Sequence, residues 1–343
     1  MKILKQVIGI DVAQKELVVC LGGLDQELTI NIHSRKTFAN TNKGFQALLA
    51  WKIKLTDPNV ITRFVMEPTG VYHESLAYFL TDQSEEVSIV LPNKISNYFK
   101  TLEVKTITDF TSAEAITRFG LERKLDAWQR PKPIFKTLRQ LSRERDQIVQ
   151  ERTMVKNHLH AEQAEGEPNK TSLIRLEKRI AFLNKQEKQI NDEITLIVKK
   201  DEQVRQSVKT ITSIPGVGIL SAVVILSETN GFELIRSKRQ LSSYAGLDVR
   251  DKTSGTSVKG KPQISKRGNR YLRKAMHMPA LVAIRSDGHF KDIFVRLVSK
   301  HGIKMKAIVA VQRKLLELSY TLFKTNTPFN KTLVSIQPIE AQV

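Results

Sequence analysis

The sequence predicts an α/β domain at the N-terminus, then a long helical hairpin, then a mostly α-helical C-terminal region. Three observations predict this order. Roughly the first 125 residues switch repeatedly between strand-like and helix-like hydrophobic periods. Residues 138–204 repeat apolar side chains at alternating spacings of three and four. Most of residues 207–325 reads as helix, broken by a stretch rich in Gly, Ser, Lys and Arg.

Within the first region, β-branched and apolar residues predict strands over 5–12, 16–21 and about 27–33. Gly22-Gly23 supplies the turn into the third, so the three form an antiparallel meander. A helix over 42–53, a strand over 60–66, a helix over 72–80, a strand over 86–90 and a helix opening after Pro92 follow. The order βββαβαβα is that of a ribonuclease-H-like fold. A further helix is expected near residue 109, where Thr111 and Glu114 have the spacing of a capping box.

In the hairpin, Leu138, Leu141, Ile148, Val155 and Leu159 form one apolar seam, interrupted by Arg145 and Arg152. After the polar break AEQAEGEPNK, a second seam runs through Leu173, Leu176, Ile180, Leu183, Ile190, Ile194 and Ile197, with Glu187 in the remaining position. Two helices of about 25 residues joined by a Gly/Pro-containing turn predict an antiparallel coiled coil, either a rigid spacer or a subunit-assembly element. Further helices are expected over 271–284 and 304–323. The predicted divisions are therefore 1–130, 131–206, 207–325 and a tail over 326–343.

Composition narrows the function. The longest apolar runs fall well short of the roughly 20 residues that cross a bilayer, so no membrane partner is expected. The opening run MKILKQVIGIDV meets Asp11 too early for a signal-peptide core. The single cysteine, Cys20, excludes an intramolecular disulfide and a cysteine-rich metal site, and the expected location is the cytoplasm, with the nucleoid. Of the net charge of +20, residues 207–343 carry +15. Such asymmetry fits a polyanion partner, through counterion release at phosphates. An anionic membrane fits less well, because no basic amphipathic helix with an aromatic face accompanies the charge.

Four groups of residues could carry chemistry. Asp11 ends the first strand, where alternation puts Val7, Gly9 and Asp11 on one face and Ile8, Ile10 and Val12 on the other. A carboxylate among apolar neighbours needs compensation, by a divalent cation, a salt bridge or a strand-end cap. Glu67 follows the strand TRFVM where Pro68 and Gly70 break it, a common place for a catalytic group and also for an exposed turn glutamate. Asp109 stands at a helix start, where it could be simply an N-terminal helix charge. Converging on one sheet edge, these three carboxylates could hold two Mg²⁺ ions and act on a phosphodiester.

The C-terminal groups are of two kinds. SIPGVGIL resembles a helix-hairpin-helix element, in which Gly216 and Gly218 would admit a DNA phosphate to backbone N–H groups; it could equally be an ordinary helix break. The densest basic run contains Lys259, Lys261, Lys266, Arg267, Arg270, Arg273 and Lys274 without an acid, and suits nucleic-acid binding. Just upstream, Ser254 and Ser257 sit in a glycine-punctuated loop, where a serine could hydrogen-bond a phosphate or attack phosphorus.

Taken in order, GIDVAQKELVVCL, VMEPTGVYHESLAYFL, LPNKISNYFK, TDFTSAEAITRFGLERKL, SIPGVGILSAVVILSE, LSSYAGLDVRDKTSGTS and ISKRGNRYLRKAM span almost the whole chain. This set resembles the DEDD-type insertion-sequence transposases related to the Piv DNA invertase, the insertion-sequence family numbered one hundred and ten. The resemblance implies a RuvC-like N-terminal domain, a coiled-coil spacer and a C-terminal transposase domain. It implies Mg²⁺ ligands at Asp11, Glu67 and Asp109, and a serine nucleophile at Ser254, with Thr253 and Ser257 as neighbours that another alignment would favour. A fourth family acid is expected three residues after Asp109, where this chain has Ser112. Glu114 could substitute only from an irregular helix start, since it lies about 140° round an ideal helix from Asp109. The resemblance further implies a structured guide RNA bridging donor and target DNA, and assembly as a homodimer or homotetramer. Two rival readings are a metal-dependent junction nuclease, which needs the acids but not Ser254, and an inactive nucleic-acid-binding relic, which needs neither.

Overall fold

In the computed structural model, β1 (Ile3–Val12), β2 (Glu16–Asp25) and β3 (Ile30–Ala39) form the antiparallel meander. After α1 (Asn42–Leu55), β4 (Thr62–Met66) joins β1 in parallel, and after α2 (Glu74–Asp82), β5 (Glu86–Ile89) joins β4 in parallel. The sheet order β3-β2-β1-β4-β5 makes this a ribonuclease-H-like mixed sheet. Two further helices, α3 (Pro92–Phe99) and α4 (Asp109–Glu122), complete this part. The structure describes residues 2–330 apart from 69, 103–105, 107, 234, 251–252, 255–257, 261–262 and 287, with backbone only at 253–254 and 258–259. Contacts divide the chain into two units, Met1–Arg130 and Pro131–Val343.

Alternation along β1 sorts its side chains as expected. Ile8, Ile10 and Val12 join Phe64 and Met66 under α1 and α2, against Phe45, Leu48 and Leu76. Each such fully buried side chain contributes roughly 1.5–3 kcal/mol. Val7 and Val65 point to the other face and pack with Ile116 and Leu121 of α4. Gly9 lies on this α4 face, and it is there because α4 comes so near: a Cβ would stand 2.4 Å from the Thr117 backbone nitrogen. The Gly9 N–H donates to Thr117 Oγ1 at 3.2 Å, which fastens helix to strand.

Two local expectations are corrected. Gly22-Gly23 is not a turn but lies inside β2, where a Cβ on Gly22 would stand 2.9 Å from Thr117 Cγ2. The turn comes later because the Asp25 carboxylate accepts N–H bonds from Glu27 (3.0 Å) and Thr29 (2.9 Å), with Leu28 at φ 60°. β3 therefore starts at Ile30. The capping box of α4 is formed by Thr108 and Thr111, not by Thr111 and Glu114. Glu114 instead pairs with Arg35 and Arg118.

The second unit begins with α5 (Pro133–Gln163) and α6 (Lys170–Lys200), which form an antiparallel hairpin. Pro133 opens α5, and Asn169 caps α6 by accepting from the N–H groups of Thr171 and Ser172. Leu138, Leu141, Ile148, Val155, Leu183, Ile190 and Ile194 are buried along the seam, and near its end Val198 rather than Ile197 is the buried residue. The polar residues that interrupt both seams answer one another. Arg145 bonds Glu187 and Asn191, and Arg152 bonds Glu187 and Asn184. A half-buried ionic layer of this kind fixes register more than it adds stability.

Helices α7 (Glu202–Thr212), α8 (Ile219–Glu228), α9 (Lys238–Tyr244), α10 (Arg270–Ala275), α11 (His277–Ser286), α12 (Gly288–His301) and α13 (Lys304–Thr325) follow. Between α9 and α10 run four two-residue strands: β6 (Val249–Arg250), β7 (Thr253–Ser254), β8 (Val258–Lys259) and β9 (Gln263–Ile264). β6 pairs β9, and β7 pairs β8. One apolar core runs from Phe135 and Leu138 of α5 through α8 to Leu315 and Leu322 of α13, so the base of the hairpin and the later helices share it.

Candidate active site

Asp11 stands one residue short of the end of β1, on the face that α4 covers. The parallel register pairs Ile10 with Met66, so Glu67, the next residue after β4, comes level with Asp11. Asp109 is the first residue of α4, brought to the same edge by the close seating of that helix at Gly9. Three distant stretches of chain thus deliver carboxylates to one edge of the sheet.

Their electrostatics agree with this placement. Burial and the neighbouring Asp109 carboxylate both push the Asp11 pKa up, against the effect of a backbone hydrogen bond at Val12. Burial and Asp11 likewise raise the pKa of Glu67. Asp11 is therefore the shared neighbour of the other two. A cavity of about 300 Å³ beside it is walled by Asp11, Gln14, Tyr72 and Asp109. Among the described residues no three His, Cys, Asp or Glu side chains are gathered tightly enough to hold one metal ion. The donor set nevertheless suits a hard divalent cation. It consists of carboxylate oxygens, those of Asp11 and Glu67 partly desolvated and Asp11 repelled by Asp109 and repelling Glu67, and a cation would relieve that repulsion.

Ser112, where the fourth acid was expected, is half-buried in the first turn of α4. Glu114 is held by two arginines and is no free substitute. Sequence reading missed Thr117, which bonds β1 and β2 through Gly9 N and Cys20 O, and Tyr72, which walls the cavity. An isolated glycine inside a strand was the available signal for the former.

The C-terminal candidates are distributed less simply. Gly216 adopts φ +84°, and a Cβ there would lie 2.5 Å from the Pro279 carbonyl. Its reason is therefore packing on α11, whereas Gly218, the N-cap of α8, is exposed with open space around it. Lys266 and Arg267 are exposed before α10. Arg273 donates to the carbonyls of Ala245 (2.7 Å) and Gly268 (3.2 Å), and Lys274 pairs with Asp146. Arg270 is exposed and donates to Tyr271 Oη at 3.0 Å. Ser254 ends β7 and pairs with Val258; Lys259 belongs to β8; Ser257 and Lys261 lie outside the described residues.

Comparison with known proteins places this arrangement. Residues 8–162 match a transposase family of the DEDD type, and residues 208–294 match the family described as "Transposase IS116/IS110/IS902 family". The pilin gene-inverting protein of Moraxella lacunata is 29% identical over 339 residues, which cover 96% of this chain and 99% of that protein. The transposase for insertion sequence element IS1328 of Yersinia enterocolitica is 24% identical, covering 91% of this chain and 99% of that protein. A solved structure of Thermus thermophilus RuvC with a Holliday junction substrate is 8% identical, covering 36% of this chain and 99% of that one at a TM-score of 0.28. What makes the sheet ribonuclease-H-like is its own strand order and register. The chain is a transposase by class. More narrowly, the two domains that it matches are those of the IS110-family transposases. No helix among the described residues is long and apolar enough to cross a membrane.

Proposed function

We propose that this chain is a site-specific DNA recombinase that excises and inserts its own element, with Asp11, Glu67 and Asp109 as its divalent-metal ligands. The observation that carries the reading is the delivery of three carboxylates to one sheet edge, where burial and the neighbouring Asp109 raise the pKa of Asp11. Mg²⁺ held by these oxygens would polarise the phosphoryl group and stabilise charge on the departing oxygen. Ser254 is the nucleophile in this reading. Its Oγ–H gives up a proton, Oγ bonds to phosphorus, and the bond from phosphorus to O3′ breaks, leaving a 5′-phosphoserine link and a free 3′-hydroxyl.

The basic C-terminal unit binds the DNA and a guide RNA in the same reading, through Lys259, Lys261, Lys266, Arg267, Arg270, Arg273 and Lys274, and the exposed N-terminus of α8 at Gly218 is available to a phosphate. Gly216 contributes by shaping that turn. The hairpin of α5 and α6, as a coiled coil, joins copies into a dimer or tetramer, because strand exchange requires at least two active centres.

The test is recombination of element DNA with Mg²⁺ and the element's RNA, with denaturing capture of protein–DNA adducts. Ser254→Ala is expected to abolish the adduct and Asp11→Ala to abolish both adduct and cleavage. Cleavage without adduct in the wild type identifies a hydrolytic nuclease. Undiminished adduct in Ser254→Ala removes the serine role.

A further inference from the structure

The parallel ladder between β1 and β4 ends at Ile10 and Met66, just before Asp11 and Glu67. Past that point each acid leads into a loop. Asp11 is followed by the turn into β2, which Ala13 closes by donating to the Glu16 carbonyl at 2.9 Å. Glu67 is followed by the stretch 68–73 before α2, with Gly70 at φ 55°. The ladder alone therefore does not fix how far apart the two acids stand.

Asn40 joins these two loops. It follows β3, and its own N–H donates to the Lys15 carbonyl at 2.9 Å, so its backbone is bound to the first of them. The next residue, Thr41, caps α1 by accepting from the Gly44 N–H at 3.3 Å, which fixes the chain on the other side. From this held position the half-buried side-chain amide donates to the Ala13 carbonyl at 2.9 Å and to the Tyr72 carbonyl at 3.2 Å. Ala13 lies just beyond Asp11 in the chain, and Tyr72 just beyond Glu67. Both residues also wall the cavity of about 300 Å³ beside Asp11 and Asp109.

The chemistry of the link is specific. Both partners are carbonyl oxygens, so each needs a donor. An amide nitrogen carries two hydrogens on one atom, whereas a hydroxyl has one and a carboxylate none. The link also sits where it matters. Asp11 and Glu67 carry like charge and would spread apart unless the chain held their loops. At a reacting centre a misplacement of about 1 Å can cost on the order of a hundredfold in rate.

We propose that Asn40 is a positioning residue for the acidic edge. By tying the Tyr72 end of one loop to the Ala13 turn of the other, its amide sets the separation at which Asp11 and Glu67 meet a divalent cation. This rests on the reading of these acids as metal ligands, and adds a residue that acts through the chain rather than on the ion.

The test is calorimetric titration of the full chain with Mg²⁺, with the Tm of each variant measured alongside. Asn40→Ala is expected to bind Mg²⁺ about tenfold more weakly than wild type, the lower end of what losing a supporting bond costs a metal site. Thr41→Ala removes the cap of α1 one residue away and leaves both amide bonds in place. It is expected to lower Tm while keeping wild-type Mg²⁺ affinity. Wild-type affinity in a folded Asn40→Ala overturns the positioning role and leaves the metal reading intact. Equal weakening in both variants overturns it as well, because the corner between β3 and α1, not the amide, then governs the site. Should Asn40→Ala fail to fold, Asn40→Ser, which gives up at least one of the two donors, takes its place under the same outcomes. A folded wild type that binds no Mg²⁺ removes the underlying reading, and the proposal with it.

Discussion

Asp11 and Glu228 are both acids withdrawn from solvent, and they are treated in opposite ways. Asp11 meets like charge: burial and Asp109 drive its pKa up, and it in turn helps to raise that of Glu67. Glu228 is buried more deeply, yet Arg143 grips both its oxygens and Asn269 adds a third bond. The first arrangement leaves repulsion for an outside cation to relieve. The second is satisfied from within. An isolated buried charge is costly in either case, and what completes its surroundings tells a ligand site from a structural hub.

The contrast can be broken most forcefully at Arg143. Arg143→Ala leaves the carboxylate of Glu228 buried with only an amide partner, and is expected to cost about 3–5 kcal/mol in urea denaturation. A loss below about 1 kcal/mol would mean that Glu228 is no hub. Gly9→Ala pushes a methyl group into the backbone of α4 and should cost about 1–3 kcal/mol, seen as a lowered Tm together with weakened metal binding at the displaced Asp109. Asp11→Asn should move the other way. Removing a repelled carboxylate is expected to raise stability in metal-free buffer by a few tenths of a kcal/mol, small because the group is only partly buried. A fall in Tm would show that the backbone hydrogen bond at Val12 outweighs the repulsion.

The smallest effect concerns His73, whose pKa is lowered by burial. The folded chain favours the neutral ring, while the unfolded chain takes up a proton below about pH 6.5. Stability from this source is therefore full above that pH and is lost as pH falls below it. His73→Gln should flatten the Tm profile between about pH 7 and 5, by less than about 1 kcal/mol.

Much of the first unit was legible in the sequence, because alternation along β1 and β4 and the Pro and Gly breaks between elements are local signals. The same alternation placed Asp11 on the face opposite Ile8 and Ile10, where the structure has it. What misled was chemistry with two local meanings. Gly22-Gly23 has turn composition, yet Gly22 serves the contact with α4 and Gly23 leaves room for His33 of β3, and the real turn is made by the carboxylate of Asp25. Thr111 and Glu114 have capping-box spacing, but Thr108 takes the cap and long-range pairing with Arg35 takes Glu114. In the hairpin, Arg145, Arg152 and Glu187 each looked like a defect in its own seam, and only the antiparallel pairing joins them. The Arg143–Glu228–Asn269 network was illegible, since its members lie far apart in sequence and nothing local joins them.

The most direct test of the acidic edge is calorimetric titration of the full chain with Mg²⁺, comparing wild type with Asp11→Asn. Wild type should bind the ion, and the asparagine variant, still folded, should bind it far more weakly. Superimposable isotherms from the two proteins, or no binding by a folded wild type, would contradict the metal-centred account.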